Sequence, residues 1–215
     1  ELDAEVVSMQ GERSCIGMQA VATALGVRTM FACCAEGAAQ AMYPTASAAS
    51  HRLPFLVVIP SRRTGYPGGI SSDLSDALGY RDMNVLMFYC EDGQDILDTV
   101  LQAYRVAEDP RVHLSCIVSY EGWDVGHSVY RVVLPDQEEV DRFLPPWSVP
   151  PEDDILSADW NELSSVRRTG REDEGFHYME YQWKMADALQ QAKQVIEEVG
   201  QEYKSLFGRG YGGLL

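Results

Sequence analysis

Leu53-Pro54-Phe55-Leu56-Val57-Val58-Ile59 runs through Pro60 into Ser61-Arg62-Arg63-Thr64-Gly65-Tyr66-Pro67-Gly68-Gly69. The first half is a continuous apolar run, rich in β-branched residues and preceded by proline. That is the pattern of a strand buried on both faces of a parallel sheet. The second half is rich in glycine and carries Arg62 and Arg63 directly after the strand's carboxyl end, where open α/β sheets bind ligands. Outward from this stretch, 12–25 reads as a helix of small and apolar residues stopped by Gly26, and 28–33 as a short strand. The alanine-rich 37–50 reads as a second helix, with Pro44 predicting a kink or a late start. Residues 85–89 and 114–119 read as strands flanking a helix over 93–108. Strands and helices alternating at this spacing predict right-handed βαβ crossovers and an α/β fold, with a central, mostly parallel sheet flanked by helices.

The character changes after Trp147. Prolines 145, 146, 150 and 151 and the run Glu152-Asp153-Asp154 predict an exposed connector. From His177 a helical pattern with Met185, Leu189, Ile196 and Val199 on one face ends at Gly208. The expected organisation is therefore a main domain over 1–147, an extended connector over 148–176, and a long C-terminal helix in 177–215. The chain starts at Glu1 without an initiator Met and stops at Gly213-Leu214-Leu215, which reads as a fragment or a processed piece.

The 215 residues, 46% hydrophobic and 23% charged, suffice for one compact core and exclude disorder over most of the chain. Asp and Glu number 33 against 17 Lys and Arg, a formal charge of -16. Nucleic acid and anionic membrane surfaces are poor partners for such a chain. Its longest apolar runs fall far short of the roughly 20 residues that cross a bilayer. The five cysteines form no C-x-x-C pair and have no histidine at ligand spacing, so no metal site is expected within the chain. Their scatter through apolar segments predicts a cytoplasmic, reducing location.

Taken singly, the candidate residues admit ordinary readings. Glu12 starts a helix, where an acid compensates the dipole. Arg62 is either a surface charge or an anion site at a strand end. Asp73 and Asp76, in Ser71-Ser72-Asp73-Leu74-Ser75-Asp76, read better as helix caps than as metal ligands. His127 suits a structural hydrogen bond better than general-base work, and His51, His113 and His177 have no evident partner at short range. No P-loop, G-x-G-x-x-G, G-x-S-x-G or Cys/His dyad is present.

Read in order, several segments resemble the α subunit of 2-oxoacid:ferredoxin oxidoreductases, the pyruvate:ferredoxin oxidoreductase family. They are Gln10-Gly11-Glu12-Arg13-Ser14, Cys33-Cys34-Ala35-Glu36-Gly37, the strand from Leu53, and Arg62 through Asp73-Leu74-Ser75-Asp76. Downstream come Ala103-Tyr104-Arg105-Val106-Ala107-Glu108-Asp109-Pro110, Gly126-His127-Ser128, Leu134-Pro135-Asp136-Gln137, Phe143-Leu144-Pro145-Pro146 and Phe207-Gly208-Arg209-Gly210-Tyr211-Gly212.

The resemblance implies a pyrimidine-side domain for thiamine diphosphate, with Glu12 and Gly37 contacting the cofactor. Glu12 would bond N1′ of the aminopyrimidine and favour the tautomer that takes the proton from thiazolium C2. Arg62 would take the 2-oxoacid carboxylate, with Arg63 as a weaker second candidate. Implied partners are a β subunit carrying the pyrophosphate and Mg2+ site, a ferredoxin-like iron-sulfur subunit and a γ-type subunit. The implied reaction is oxidative decarboxylation of a 2-oxoacid, with electrons passing to ferredoxin or a similar acceptor. The Arg62–Gly69 loop departs from the more apolar loop of pyruvate enzymes, and leaves pyruvate, a dicarboxylic acid, oxalate and an aromatic 2-oxoacid open. Two other classes stand beside this reading: a non-redox thiamine enzyme, transketolase-like or a decarboxylase, and a non-catalytic assembly module.

Overall fold

The computed structural model describes residues 4–67, 69–148 and 178–210. The chain runs α1 (Glu12–Ala24), β1 (Met30–Ala32), α2 (Ala35–Ser50), β2 (Leu56–Ser61), α3 (Ser75–Leu78), β3 (Leu86–Cys90), α4 (Gly93–Ala107), β4 (Cys116–Glu121), α5 (Gln137–Phe143) and α6 (Tyr178–Phe207). The strands form one four-stranded sheet in the order β1-β2-β4-β3, and every pairing is parallel. The expected α/β class is thus observed. The connector expected over 148–176 lies, after Ser148, outside the described residues, as does His177.

The run that predicted a two-sided strand behaves as one. Leu56 and Val58 of β2 enter a core shared with α4, α5 and α6, while Val57 and Ile59 enter one built from α1, α2 and α3. A strand whose alternate residues all bury keeps no polar face, and each buried aliphatic side chain stabilises by roughly 1.5–3 kcal/mol. The second core is lined by alanines 24, 38, 41, 48 and 49, which lets α1 and α2 approach closely.

The late start that Pro44 predicted for α2 is not observed. The helix runs from Ala35 through Pro44 to Ser50. The missing N–H costs one helical bond, and burial of Ala35, Ala38, Ala41, Thr45, Ala48 and Ala49 along one face offsets it. The strand expected over 28–33 shortens to Met30–Ala32 at the sheet edge. Arg28 is diverted to a two-bonded pair with Glu108 at the end of α4, at 2.6 and 2.7 Å.

α6 packs on α4 through Met185, Ala188, Ala192, Val195, Val199 and Tyr203, a stripe at three- and four-residue spacing. Leu189 and Ile196, read from sequence as part of that face, sit only partly buried at its edge. Beyond the helix, Arg209 reaches back to Asp98 of α4 with Nε–Oδ2 at 2.6 Å and Nη2–Oδ1 at 3.1 Å. The Asp98 side chain is fully buried, whereas that of Arg209 is 27% exposed. Removing the cation leaves a buried carboxylate uncompensated, which costs about 3–5 kcal/mol when both partners are buried. With Arg209 part-exposed, Arg209→Ala should cost on the order of 2 kcal/mol, read as a lower urea midpoint. In an Asp98→Asn background the same substitution should cost little, because no buried charge is left behind. An equal loss in both backgrounds would assign the effect to packing of the arginine stem.

Candidate active site

β1 and β2 pair in parallel from Met30↔Leu56 to Ala32↔Val58, so both run toward the same edge of the sheet, β2 extending three residues further to Ser61. The residues just past the two strands are therefore brought to one edge of the sheet. After β1 comes Cys33 and then Cys34, the extended residue that precedes α2. After β2 comes Arg62.

Glu12 opens α1, where Gly11 in extended conformation accepts the first backbone bonds from Ser14 and Cys15. Its carboxylate lies directly over Gly37 in the first turn of α2. A Cβ built on Gly37 would stand 2.7 Å from Glu12 Oε1, 3.1 Å from Cγ and 3.2 Å from Cδ. Glycine at 37 is thus what gives the carboxyl group its place. The two residues that the sequence reading assigned to the cofactor are in contact.

Arg62 joins them from the neighbouring strand. Its Nη2 donates to Glu36 Oε2 at 3.4 Å, and its Nε is buried without a well-placed hydrogen-bond partner. The Cys34 sulfur beside the guanidinium, followed by the Glu36 and Asp76 carboxylates, raises the Arg62 pKa further above its ordinary value. The arginine is a permanent cation here. With its side chain 37% exposed, the guanidinium can turn its outer N–H groups to an incoming anion.

Cys33 sits at the junction of both halves. Burial, then the neighbouring Cys34, Glu12, Asp76 and Cys15, push its thiol up to about 12, so it remains protonated at neutral pH and does not serve as a thiolate nucleophile. Deeper in the sheet, Ser61 and Ser119 share a buried hydroxyl bond of 2.7 Å. Gly122 succeeds β4 so closely that a Cβ there would meet the Ser61 and Pro60 carbonyl oxygens at 2.7 and 2.9 Å. This glycine lets the chain turn tightly over the end of β2.

Arg63 is not brought to this cluster. It pairs with Asp73 at 3.8 Å on the outer side of the loop. Tyr66, a candidate for an aromatic substrate, is 99% exposed. His127 bonds the Gly122 carbonyl through Nδ1 at 2.8 Å and packs on Trp123, which is the structural role expected for it. His51 does have a short-range partner, the Ser47 carbonyl at 2.8 Å, one turn earlier in α2, and His113 is buried and engaged as well.

The capping expected of Asp73 and Asp76 is not observed at α3, which follows Leu74 without a side-chain cap bond. Asp73 accepts the Ser75 N–H at 2.7 Å, a local turn bond. Asp76 instead lies inside α3, 1% exposed, and accepts from Ala35 and Arg62 across the fold. Sequence reasoning missed this role, and also the pairing of Glu36 with Arg62. The available signal was the position of Asp76 shortly after a ligand-type loop.

A carboxylate seated over a glycine, beside a cation at the ends of parallel strands, suits the aminopyrimidine end of thiamine diphosphate. Among the described residues no group of three or more His, Cys, Asp or Glu could hold a metal ion. The geometry thus defines a parallel α/β domain with a carboxylate, Glu12, and a cation, Arg62, toward one edge of its sheet.

Residues 1–201 match the family described as pyruvate flavodoxin/ferredoxin oxidoreductase, thiamine diphosphate-binding, and the chain belongs to that family. It is 36% identical over 211 residues to pyruvate synthase subunit PorA of Pyrococcus horikoshii, covering 98% of this chain and 52% of that subunit. Ketoisovalerate oxidoreductase subunit VorA of Pyrococcus abyssi is 32% identical over 216 residues, covering 100% of this chain and 52% of that subunit. The chain spans about half the length of the curated relatives it matches. Its fold also resembles 2-oxoglutarate:ferredoxin oxidoreductase from Magnetococcus marinus, solved with 2-oxoglutarate, coenzyme A and succinyl-CoA bound. That likeness has a TM-score of 0.61 at 17% identity, over 90% of this chain and 37% of the other.

Proposed function

We propose that this chain is the α subunit, or the matching part of one, of a thiamine-diphosphate-dependent 2-oxoacid oxidoreductase. It would act only in complex, in the cytoplasm, and pass electrons to ferredoxin or a similar acceptor. The observation that carries the reading is the juxtaposition of Glu12 over Gly37 with the Arg62 guanidinium at the adjoining strand end. The similar proteins act, by their names, on pyruvate, ketoisovalerate and 2-oxoglutarate. What those substrates share is a 2-oxo group beside a carboxylate, so the substrate class is a 2-oxoacid.

In this reading bound thiamine diphosphate supplies the nucleophilic thiazolium carbon and the sink for the electrons left by decarboxylation. Glu12 holds a proton at N1′ of the aminopyrimidine, and Arg62 takes the substrate carboxylate with parallel charge-assisted bonds, displacing its weak contact with Glu36. Gly37 keeps the carboxyl group of Glu12 in place, and the Ser61–Ser119 pair closes the floor. Pyrophosphate and Mg2+ are assigned to a β subunit, and iron-sulfur clusters to a ferredoxin-like subunit, with a γ-type subunit completing the assembly. Beside Glu12 the outer face of α1 leaves Met18, Val21 and Leu25 exposed, an apolar surface suited to covering by the β subunit.

The test is isolation of the native complex, cofactor analysis, and a screen of 2-oxoacids with a viologen acceptor. Thiamine diphosphate with viologen reduction by at least one 2-oxoacid is expected; a complex with the cofactor but only non-oxidative turnover would favour the decarboxylase or transketolase class. Gly37→Ala gives a sharper check. The atom it meets is the free end of a side chain, and alanine is the better helix former by up to about 1 kcal/mol, so thermal stability should hold or rise. Turnover should nevertheless fall at least tenfold, because the new methyl displaces the Glu12 carboxyl group. Full activity in Gly37→Ala would remove Glu12 from the site.

A further inference from the structure

Among the described residues, Asp76 accepts three hydrogen bonds, all from backbone N–H groups. Its Oδ2 accepts from Ala35 at 2.9 Å and from Arg62 at 3.1 Å, and its Oδ1 accepts from Ala77 at 2.8 Å. The first two donors belong to different βα junctions: Ala35 opens α2, two residues before Gly37, and Arg62 directly succeeds β2. Ala35 is fully buried and has φ of 44°, a left-handed conformation that strains an alanine. Its N–H points at the Asp76 carboxylate. A single oxygen thus ties the strained turn beneath Glu12 to the residue that carries the anion-binding side chain.

We propose that Asp76 is a positioning residue, which sets the distance and angle between the Glu12–Gly37 half of the site and the Arg62 half. This rests on the function proposed above, in which the bonds of the buried carboxylate serve the geometry of two loops. Asparagine can place its amide oxygen where Oδ2 stands and keep both shared bonds, with its N–H2 group facing only the Ala77 N–H, so the substitution that removes the common acceptor is Asp76→Ala. With Asp76→Ala the two junctions lose their common acceptor and Arg62 is no longer held at a fixed offset from Glu12.

The experiment has two readouts in the assembled complex. The first is amide hydrogen exchange, which needs no activity. In the wild type Ala35 and Arg62 should exchange as slowly as the strand amides of β2. In Asp76→Ala both should accelerate at least tenfold, with α4 and α6 unchanged, whereas Asp76→Asn, which can keep the shared oxygen, should accelerate them less. The second is kinetic: at matched thiamine diphosphate content, KM for the 2-oxoacid should rise about tenfold or more, by more than kcat falls. Asp73→Ala, which removes the local turn bond to Ser75 and the pair with Arg63, should reproduce neither effect. Unprotected Ala35 and Arg62 amides in the wild type would overturn the proposal without a variant. So would a KM equal to wild type with kcat reduced only by the folded fraction, the signature of plain structural support. If the wild-type complex turned over no 2-oxoacid, the function would fall, and the exchange of these two amides would still decide whether Asp76 couples the junctions.

Discussion

In a complex carrying Glu12→Gln, turnover of the 2-oxoacid is expected to drop by roughly 10²- to 10⁴-fold, the range of general acid–base contributions. Folding and thiamine diphosphate content should hold, because glutamine keeps the shape that Gly37 accommodates. What glutamine lacks is an ionisable group to hold a proton at N1′. Proton exchange at the thiazolium C2, followed by NMR in the intact complex, should slow in parallel. An ordinary first-turn acid predicts something different: loss of about 1 kcal/mol of stability or less, from the helix dipole, with the rate untouched. Wild-type exchange at C2 in Glu12→Gln would therefore exclude Glu12 as the acid and leave it as a dipole-compensating charge.

Glu12 marks where local sequence reasoning stops. Its spacing from Gly37 means nothing by periodicity, since a helix-start acid and an alanine-helix glycine are both commonplace. The fold supplies the contact: β1 is three residues long, so α1 and α2 emerge close together and pack through alanines, and the acid of one falls on the glycine of the other. The parallel sheet itself is readable because the chain is apolar at every position from Phe55 to Ile59, a pattern that few other environments tolerate. The carboxyl-edge location of Arg62 comes from that strand alone.

Other features escape the sequence because they depend on contacts between segments far apart in the chain. Asp73 and Asp76 are chemically the same, three residues apart, and capping logic treats them alike. In the fold one bonds a neighbour two residues away and the other reaches Ala35. Nothing local predicts Ala35 in a left-handed conformation, since alanine carries no turn preference of its own. Arg63 and Arg62 are separable only by alternation: adjacent residues leaving a strand point to opposite sides, and Arg63 therefore meets Asp73 rather than the cluster around Glu36. Pro44 shows the converse error, a strong local signal overridden because a buried face of small residues outweighs one missing bond.

Arg62→Ala should raise KM for the 2-oxoacid about 10- to 150-fold, the equivalent of losing roughly 1.5–3 kcal/mol of charge-assisted bonding. Cofactor content should be unaffected, because the guanidinium belongs to the substrate half of the site. The resting partner, Glu36, does not offset this loss: both side chains of that pair are substantially exposed, at 37% and 60%, and an exposed ion pair at 3.4 Å contributes little. Arg62→Lys separates charge from shape. Lysine keeps the cation but presents no planar fork and cannot place a donor where the buried Nε now stands, so KM should stay raised by more than half of the alanine effect on a logarithmic scale. Full recovery in Arg62→Lys would show that only the net charge matters, and an unchanged KM in Arg62→Ala would move the anion site to Arg63. Combining Arg62→Ala with Arg63→Ala decides between them. If Arg63 stays with Asp73 during turnover, the double variant should match the single one.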